Sequence, residues 1–433
     1  MAINKETFCV YRWDQSVINF SSSEIRTCCR TIPKVVSRAE LDKHGKSIFL
    51  NSDYLLERRK EMLEGTKHSD CRECWEMEAK GMKSFRRTQV GDHESAEKFL
   101  ERVSGTDRSQ HHFTRNPDSL ILFIGNTCDL KCLYCGSSLS TTWAQEDLKY
   151  GIITQEHYDT LTTPVLGFDD HFWEFFEEHK KSIRHISFVG GEPLTMKRFY
   201  EYLEKISKSF MSMKLEHKVT LCITSNLNAS EKTFNTFLDT IRTMTSPMIE
   251  IKVDGSIDTT GEKAAYIRSG VSWERWKSNF IKLLELKEVN LKLTVIPSIS
   301  ALSVTSFGTL IQELASLQKK YHKEIRLQDN IIMTPAYLSP LILTPDFAAS
   351  LRSILPVIRE AGFMTERHNE TYADFIERLM LNIQNGQDEL MNSKYRREFY
   401  GFIIAMDKRR QTNFLSTFPE MKTFYEVCES GWV

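Results

Sequence analysis

An α/β fold around a parallel sheet is what this sequence predicts, closed into an open, partial (β/α)6 barrel. Three observations predict it. Short apolar runs alternate with helical stretches from about Ser119 onward, and such repetition argues parallel strands joined by helices. Five cysteines crowd the chain before that point, where strand alternation is scarce. After Pro345 the pattern is helical to the end. A chain of 433 residues exceeds one ordinary core. The expected division is a cysteine-rich module and linker over 1–115, the barrel over 116–335, and a C-terminal helical region over 336–433.

In chain order, Ser52 to Leu63 reads as a helix, with Leu55, Arg59 and Met62 at helical spacing. Ser104 to Asp118 is polar and carries the turn signals Ser104-Gly105-Thr106-Asp107 and Asn116-Pro117, which mark a linker. The strand candidates are Leu120–Ile124, His185–Val189, Val219–Thr224, Ile249–Val253, Leu291–Ile296 and Ile325–Leu327 with its continuation. Helical stretches lie between them at Lys197–Phe210, Glu231–Thr243, Ser272–Lys287 and Val304–Lys320. The last part reads as helices over Pro345–Glu360, Tyr372–Asn385 and Asn392–Met406. Trp173, Phe175 and Phe176 look like helix core, and Cys222 like strand core. Ligands of parallel α/β folds collect at the C-terminal ends of strands.

Basic and acidic residues nearly cancel, 57 against 58, which gives no argument for nucleic acid or a membrane surface as partner and leaves a local patch open. No apolar stretch reaches the ~18 residues of a membrane span, and the first residues have no apolar signal segment. A cytoplasmic location is the default expectation. Ten cysteines in a reducing compartment point to metal rather than disulfides.

Two motifs carry chemistry. Cys128, Cys132 and Cys135 form C-x-x-x-C-x-x-C just after the first barrel strand. Three thiolates hold three irons of a 4Fe–4S cluster and leave the fourth open, whereas four protein ligands close it. The second motif is Ile186-Ser-Phe-Val-Gly190-Gly191-Glu192-Pro193. Its glycines allow close approach of main chain to a ligand, and carbonyls with a carboxylate suit an ammonium group. The competing structural account is a zinc site for the cysteines and a plain strand-to-helix turn for the glycines.

Together the two motifs resemble the signature of the radical S-adenosylmethionine (SAM) family, with Tyr134 matching the aromatic before the last cysteine. The resemblance implies a cluster on Cys128, Cys132 and Cys135 whose open iron is chelated by SAM. Its reductive cleavage gives a 5′-deoxyadenosyl radical that abstracts hydrogen from a substrate. It also implies a SAM site formed by Tyr134, Gly190, Gly191, Glu192, Ser225, Asn226, Lys252 and Ser298. Ser225 and Asn226 equally fit a turn. Lys252 stands where the family has a serine, and faces SAM carboxylate or substrate. Asp254 and Arg268 are substrate candidates; a turn and a surface ion pair are their plainer roles.

Cys9, Cys28, Cys29, Cys71 and Cys74 resemble the twitch or SPASM auxiliary-cluster module. The similar features are Phe8-Cys9-x-x-x-Trp13, Cys28-Cys29, Asn51-Ser52 before Arg58, Cys71-x-x-Cys74, and Glu78-x-x-Gly81-x-x-Ser84-x-Arg86. The favoured ligands of a second 4Fe–4S cluster are Cys9, Cys28, Cys71 and Cys74. Cys28 is preferred to Cys29 because Ser23 then occupies the module's usual glycine position. A zinc knuckle is the alternative. Cys428 has no assigned role, and His111 and His112 read as a solvated pair.

The expected function is a radical SAM oxidoreductase acting on a ribosomally made peptide or on a small metabolite such as a sugar or nucleoside. An external donor such as flavodoxin or ferredoxin would supply electrons. A non-catalytic zinc protein or an electron-transfer protein is the reading of another class.

Overall fold

The computed structural model describes residues 6–79, 84–86, 116–163, 167–366, 370–385 and 389–430. Most of the expected linker, with His111 and His112, and Gly81 of the N-terminal motif lie outside the described residues. The strands are β1 (Gln15–Asn19), β2 (Glu24–Arg26), β3 (Lys34–Val35), β4 (Ser119–Phe123), β5 (Lys131–Cys132), β6 (His185–Val189) and β7 (Val219–Ser225). They continue with β8 (Ile249–Ser256), β9 (Arg268–Ser269), β10 (Leu291–Ile296), β11 (Ser298–Ile299), β12 (Ile325–Leu327) and β13 (Asn330–Ile331). The chain is mixed α/β with a parallel-rich sheet. It divides into two compact units, one drawn from 1–127, 144–223 and 244–251, the other from 128–143, 224–243 and 252–433.

In the first unit β4 pairs in parallel with β1 on one side and β6 on the other, and β6 pairs in parallel with β7. β1 continues into an antiparallel meander with β2 and β3. β1 corrects the expectation of a strand-poor N-terminal region. All five of its residues are buried, so it lacks the in–out alternation that betrays a half-buried strand. Its flank is an aromatic cluster in which Phe20 and Phe49 meet Phe168 and Phe172 edge to face. Phe168 and Phe172 lie on the helix Phe168–His179, which also buries Phe175 and Phe176. Trp173 on that helix is half-buried, covered by Lys205 rather than enclosed in core.

In the second unit β10 pairs in parallel with β12, β11 in parallel with β13, and β5 antiparallel to β9. The helices Glu231–Arg242, Trp273–Glu285 and Phe307–Tyr321 each bury one apolar stripe, as with Phe234, Phe237, Leu238 and Ile241. β8 runs three residues beyond its expected end, to Ser256. The single helix expected over 345–360 is broken: Ala348–Arg352 stops and Leu355–Ala361 restarts with Pro356 in its first turn, where a missing N–H costs nothing. Glu389–Arg410 is longer than expected at both ends. No helix among the described residues is long and apolar enough to cross a membrane.

Candidate metal centres

In the first unit, Cys9, Cys28, Cys71 and Cys74 line one cavity together with Arg12 and Arg30. Local structure explains the convergence. Cys9 precedes the short helix Tyr11–Asp14, while Cys71 closes a 3-10 turn and Cys74 sits on the helix Arg72–Ala79 that follows it. Phe8, Cys9, Trp13, Met62 and Cys71 form one buried cluster, which fixes both cysteine segments by packing. Cys28 lies after β2, beyond a tight turn in which Ser23 has φ +50°. That left-handed conformation is what glycine adopts without penalty, so Ser23 holds a glycine's conformation at the motif's glycine position. Cys29 is half-exposed and does not line the cavity.

Buried arginines complete this region. Arg12 donates from Nη2 to Cys71 Sγ at 3.1 Å and lies 3.6 Å from Asp70. Arg59, rather than the neighbouring Arg58, donates to Asn51 Oδ1 at 2.9 Å, as well as to the carbonyls of Arg12 and Leu50. Glu78 pairs with Ser84 and Arg86, and Arg86 donates to Phe8 O at 2.9 Å, beside Cys9. Burial pushes the Cys9 thiol up to about 12, and burial also raises Cys74. The bond from Cys29, then burial, holds Cys28 well above the ordinary thiol range. Four buried thiols become metal ligands only when deprotonated, and the guanidiniums of Arg12, Arg30 and Arg86, each with a carboxylate partner, line the same cavity. That donor set fits a four-cysteine cluster. That agreement is one of donor type and shared cavity: among the described residues no group of three or more His, Cys, Asp or Glu is drawn together closely enough to hold a single metal ion.

Also in the first unit, the glycines after β6 meet protein backbone. Gly190 has φ +126°, and a Cβ there would lie 2.3 Å from Gly125 O; at Gly191 it would lie 2.2 Å from Thr127 O. Gly191 N donates to Gly125 O at 2.9 Å and Glu192 N to Thr127 O at 2.7 Å. Glu192 is fully buried and accepts from Leu194 N at 3.1 Å, capping the next turn. The glycine pair is therefore required by the segment 125–127, which runs directly into Cys128.

In the second unit, Cys128, Cys132 and Cys135 are half-exposed. Leu130 N lies 3.5 Å from Cys128 Sγ, the long N–H···S contact of a turn that wraps its thiol. Cys132 lies in β5, opposite Arg268 in β9. Burial raises Cys132 to about 12, against which Arg268 works, and burial raises Cys135 as well. The three thiols fit an accessible cluster with cations beside it.

A buried carboxylate organises the rest. Asp258 is fully buried and accepts from Arg268 Nε and Nη2, both at 2.9 Å, from Tyr134 OH at 2.7 Å and from Ser298 N at 2.8 Å. Arg268 thus finds its anionic partner inside the chain, and three residues singled out in the sequence meet on one that was not. Asn226 Nδ2 donates to Asp129 Oδ1 at 2.8 Å, and Asn228 Nδ2 to Asp129 Oδ2 at 3.1 Å, tying the turn after β7 to the cysteine loop. Ser225 Oγ accepts from Leu227 N at 2.9 Å, as a turn former does. Lys252 pairs with Asp254 at 3.1 Å and Glu366 at 2.9 Å. Asp129 was missed in the sequence, although its place inside the cysteine spacing is the signal that could have found it. Asp258 carried no such signal, because a lone aspartate before two threonines reads as a turn.

No family model matches this chain. A GTP 3′,8-cyclase of Nitrobacter winogradskyi is 27% identical over 124 residues, 29% of this chain and 30% of the cyclase. The chain thus spans about a third of the length of that curated relative. Among solved structures, Streptococcus suis SuiB aligns over 84% of this chain and 72% of its own at 14% identity, TM-score 0.36. SuiB bound to S-adenosylmethionine aligns over 84% and 73%, at 14% identity and TM-score 0.35.

Proposed function

We propose that this chain is a radical SAM oxidoreductase with two 4Fe–4S clusters. Cys128, Cys132 and Cys135 would hold the SAM-binding cluster, and Cys9, Cys28, Cys71 and Cys74 the auxiliary one. The similarity to a GTP 3′,8-cyclase supports the family. The observation that carries the reading is a loop of three half-exposed thiols anchored through Tyr134 to the buried Asp258–Arg268 pair.

When bound and reduced, the open-iron cluster supplies the electron that cleaves SAM into the radical that takes hydrogen from substrate. The chain's own residues do the rest. Tyr134 and Arg268 fix the loop, with the Arg268 guanidinium 5.5 Å over the Tyr134 ring. Asp129 couples it to the turn carrying Asn226, proposed for SAM together with Gly190, Gly191, Glu192, Ser225, Lys252 and Ser298. Lys252 on β8, with Asp254 and Glu366 beside it, forms a net-acidic polar cluster proposed to face substrate.

A ribosomally made peptide is the substrate class the auxiliary-module resemblance favours. A small metabolite such as a nucleotide is the second reading, drawn from the cyclase similarity. An external flavodoxin or ferredoxin would donate electrons, and a cytoplasmic, reducing location goes with this chemistry.

Anaerobic reconstitution followed by iron analysis and a 5′-deoxyadenosine assay tests the assignment. About eight irons per chain fit two clusters; about four would remove the auxiliary one. Alanine at Cys128, Cys132 and Cys135 together should abolish 5′-deoxyadenosine formation, and persistent formation in that variant overturns the proposal.

A further inference from the structure

The C-terminal helix Glu389–Arg410 ends on the cysteine loop. Arg410, its last residue, donates from Nη1 to Lys131 O at 2.9 Å. Its guanidinium also lies 4.6 Å over the Trp143 ring, and Trp143 Nε1 donates to Cys132 O at 2.8 Å. Two consecutive carbonyls of β5 are therefore held from one side by an Arg–Trp stack. The backbone of Lys131 and Cys132 is held from another by the pairing with β9.

The contact is built rather than incidental. One turn before Arg410, Asp407 accepts from Tyr266 OH at 2.8 Å and from Phe414 N at 2.8 Å. Tyr266 stands on the helix Gly261–Ile267 that leads into β9. Further on, Glu420 pairs with Lys263 on that same helix at 2.6 Å and accepts from Thr305 Oγ1 at 2.6 Å. The helix end is thus fixed to the element that pairs with β5 as well as to β5 itself. A guanidinium over an indole is a favourable cation–π geometry, and its planar fork donates to a carbonyl while stacking, which an ammonium cannot do equally well.

We propose that Arg410 is a positioning residue for the SAM-cluster loop, so that the C-terminal helix completes the cluster site by clamping the loop through Arg410 and Trp143 and adding a positive charge beside the cluster. The inference rests on the radical SAM reading and assigns the C-terminal helix a part in it. A fixed cation favours the more negative, reduced state of a cluster.

The test uses the full chain, reconstituted without oxygen, as wild type, Arg410→Gln, Arg410→Lys and Trp143→Phe. Two quantities are read: the midpoint potential of the cluster whose paramagnetic signal responds to added SAM, and its bleaching rate in air. Arg410→Gln should move the potential to a more negative value. It should also speed bleaching about fivefold, the factor expected for losing one net hydrogen bond. Arg410→Lys should restore the potential but not the slow bleaching, since it keeps the charge and loses the stacked fork. Trp143→Phe should speed bleaching with little change in potential. Unchanged potential and an unchanged bleaching rate in Arg410→Gln overturn the inference while leaving the radical SAM reading intact. Failure of the wild type to bind iron or respond to SAM overturns both. If Arg410→Gln does not fold, as judged by circular dichroism, Arg410→Lys and Trp143→Phe decide: normal bleaching in both rejects the clamp.

Discussion

Ser23 and Asp258 show how single residues carry the two candidate sites. Ser23 takes φ +50°, and its buried hydroxyl has no hydrogen-bond partner. A left-handed conformation costs a non-glycine residue roughly 1–2 kcal/mol, partly offset because serine loses less backbone entropy on folding than glycine does. Ser23→Gly is expected to stabilise the protein by about 1 kcal/mol, read as a shift of the denaturant midpoint at constant slope; a lower midpoint would show that the turn is not strained. Asp258 answers a different need. Arg268 is 6% exposed, and a buried guanidinium must be matched by charge and hydrogen bonds. The carboxylate that matches it also reaches Tyr134 and Ser298, so stability and placement of the cysteine loop depend on one side chain.

At the scale of elements, β1 is the consequential piece. It brings the N-terminal thiols to the edge of β4 by adding a strand parallel to it. Ser16 Oγ donates to Phe49 O at 2.6 Å, so the strand is also tied to the segment before the helix Asp53–Leu63. Ile18 is fully buried. Its replacement by alanine should cost about 2–5 kcal/mol through lost contacts and the cavity left behind. In chemical denaturation, a loss under about 1 kcal/mol would mean that β1 is not part of the packed sheet. The glycines after β6 belong at this scale too. The close approach they permit is, within the chain, to the backbone of residues 125–127.

For the molecule as a whole, the buried thiols set a pH dependence with a definite sign. Cys9 is raised from 9.0 to about 12, chiefly by burial, and the buried Cys28 and Cys74 thiols are raised as well. In metal-free protein the folded state therefore keeps protons that the unfolded state releases above about pH 9. Their contribution is fully present below pH 9 and is lost as the pH climbs towards 12. The denaturant midpoint of the metal-free chain should fall as the pH rises from about 9 towards about 12. Iron-loaded protein should lack that part of the slope, because its ligand thiols are already deprotonated. A midpoint that rises over the same range in metal-free protein would mean that the thiols are not shielded as found.

By itself the sequence determined the alternation of strands and helices, the cysteine spacings and the glycine-rich strand end. Each is local: periodicity, ligand spacing and turn chemistry act over a few residues and are written in consecutive letters. The bounds of β6 and β10 follow from that, as does the helix Asp53–Leu63 with Ser52 at its N-cap. Tertiary structure alone decided that β1 joins the sheet, that Asp258 gathers Tyr134, Arg268 and Ser298, and that Arg410 reaches a loop 279 residues earlier. The physical reason is that a buried charge or a strand enclosed on both faces is specified by its partners in space, and partners far apart in the chain leave no period or spacing to read.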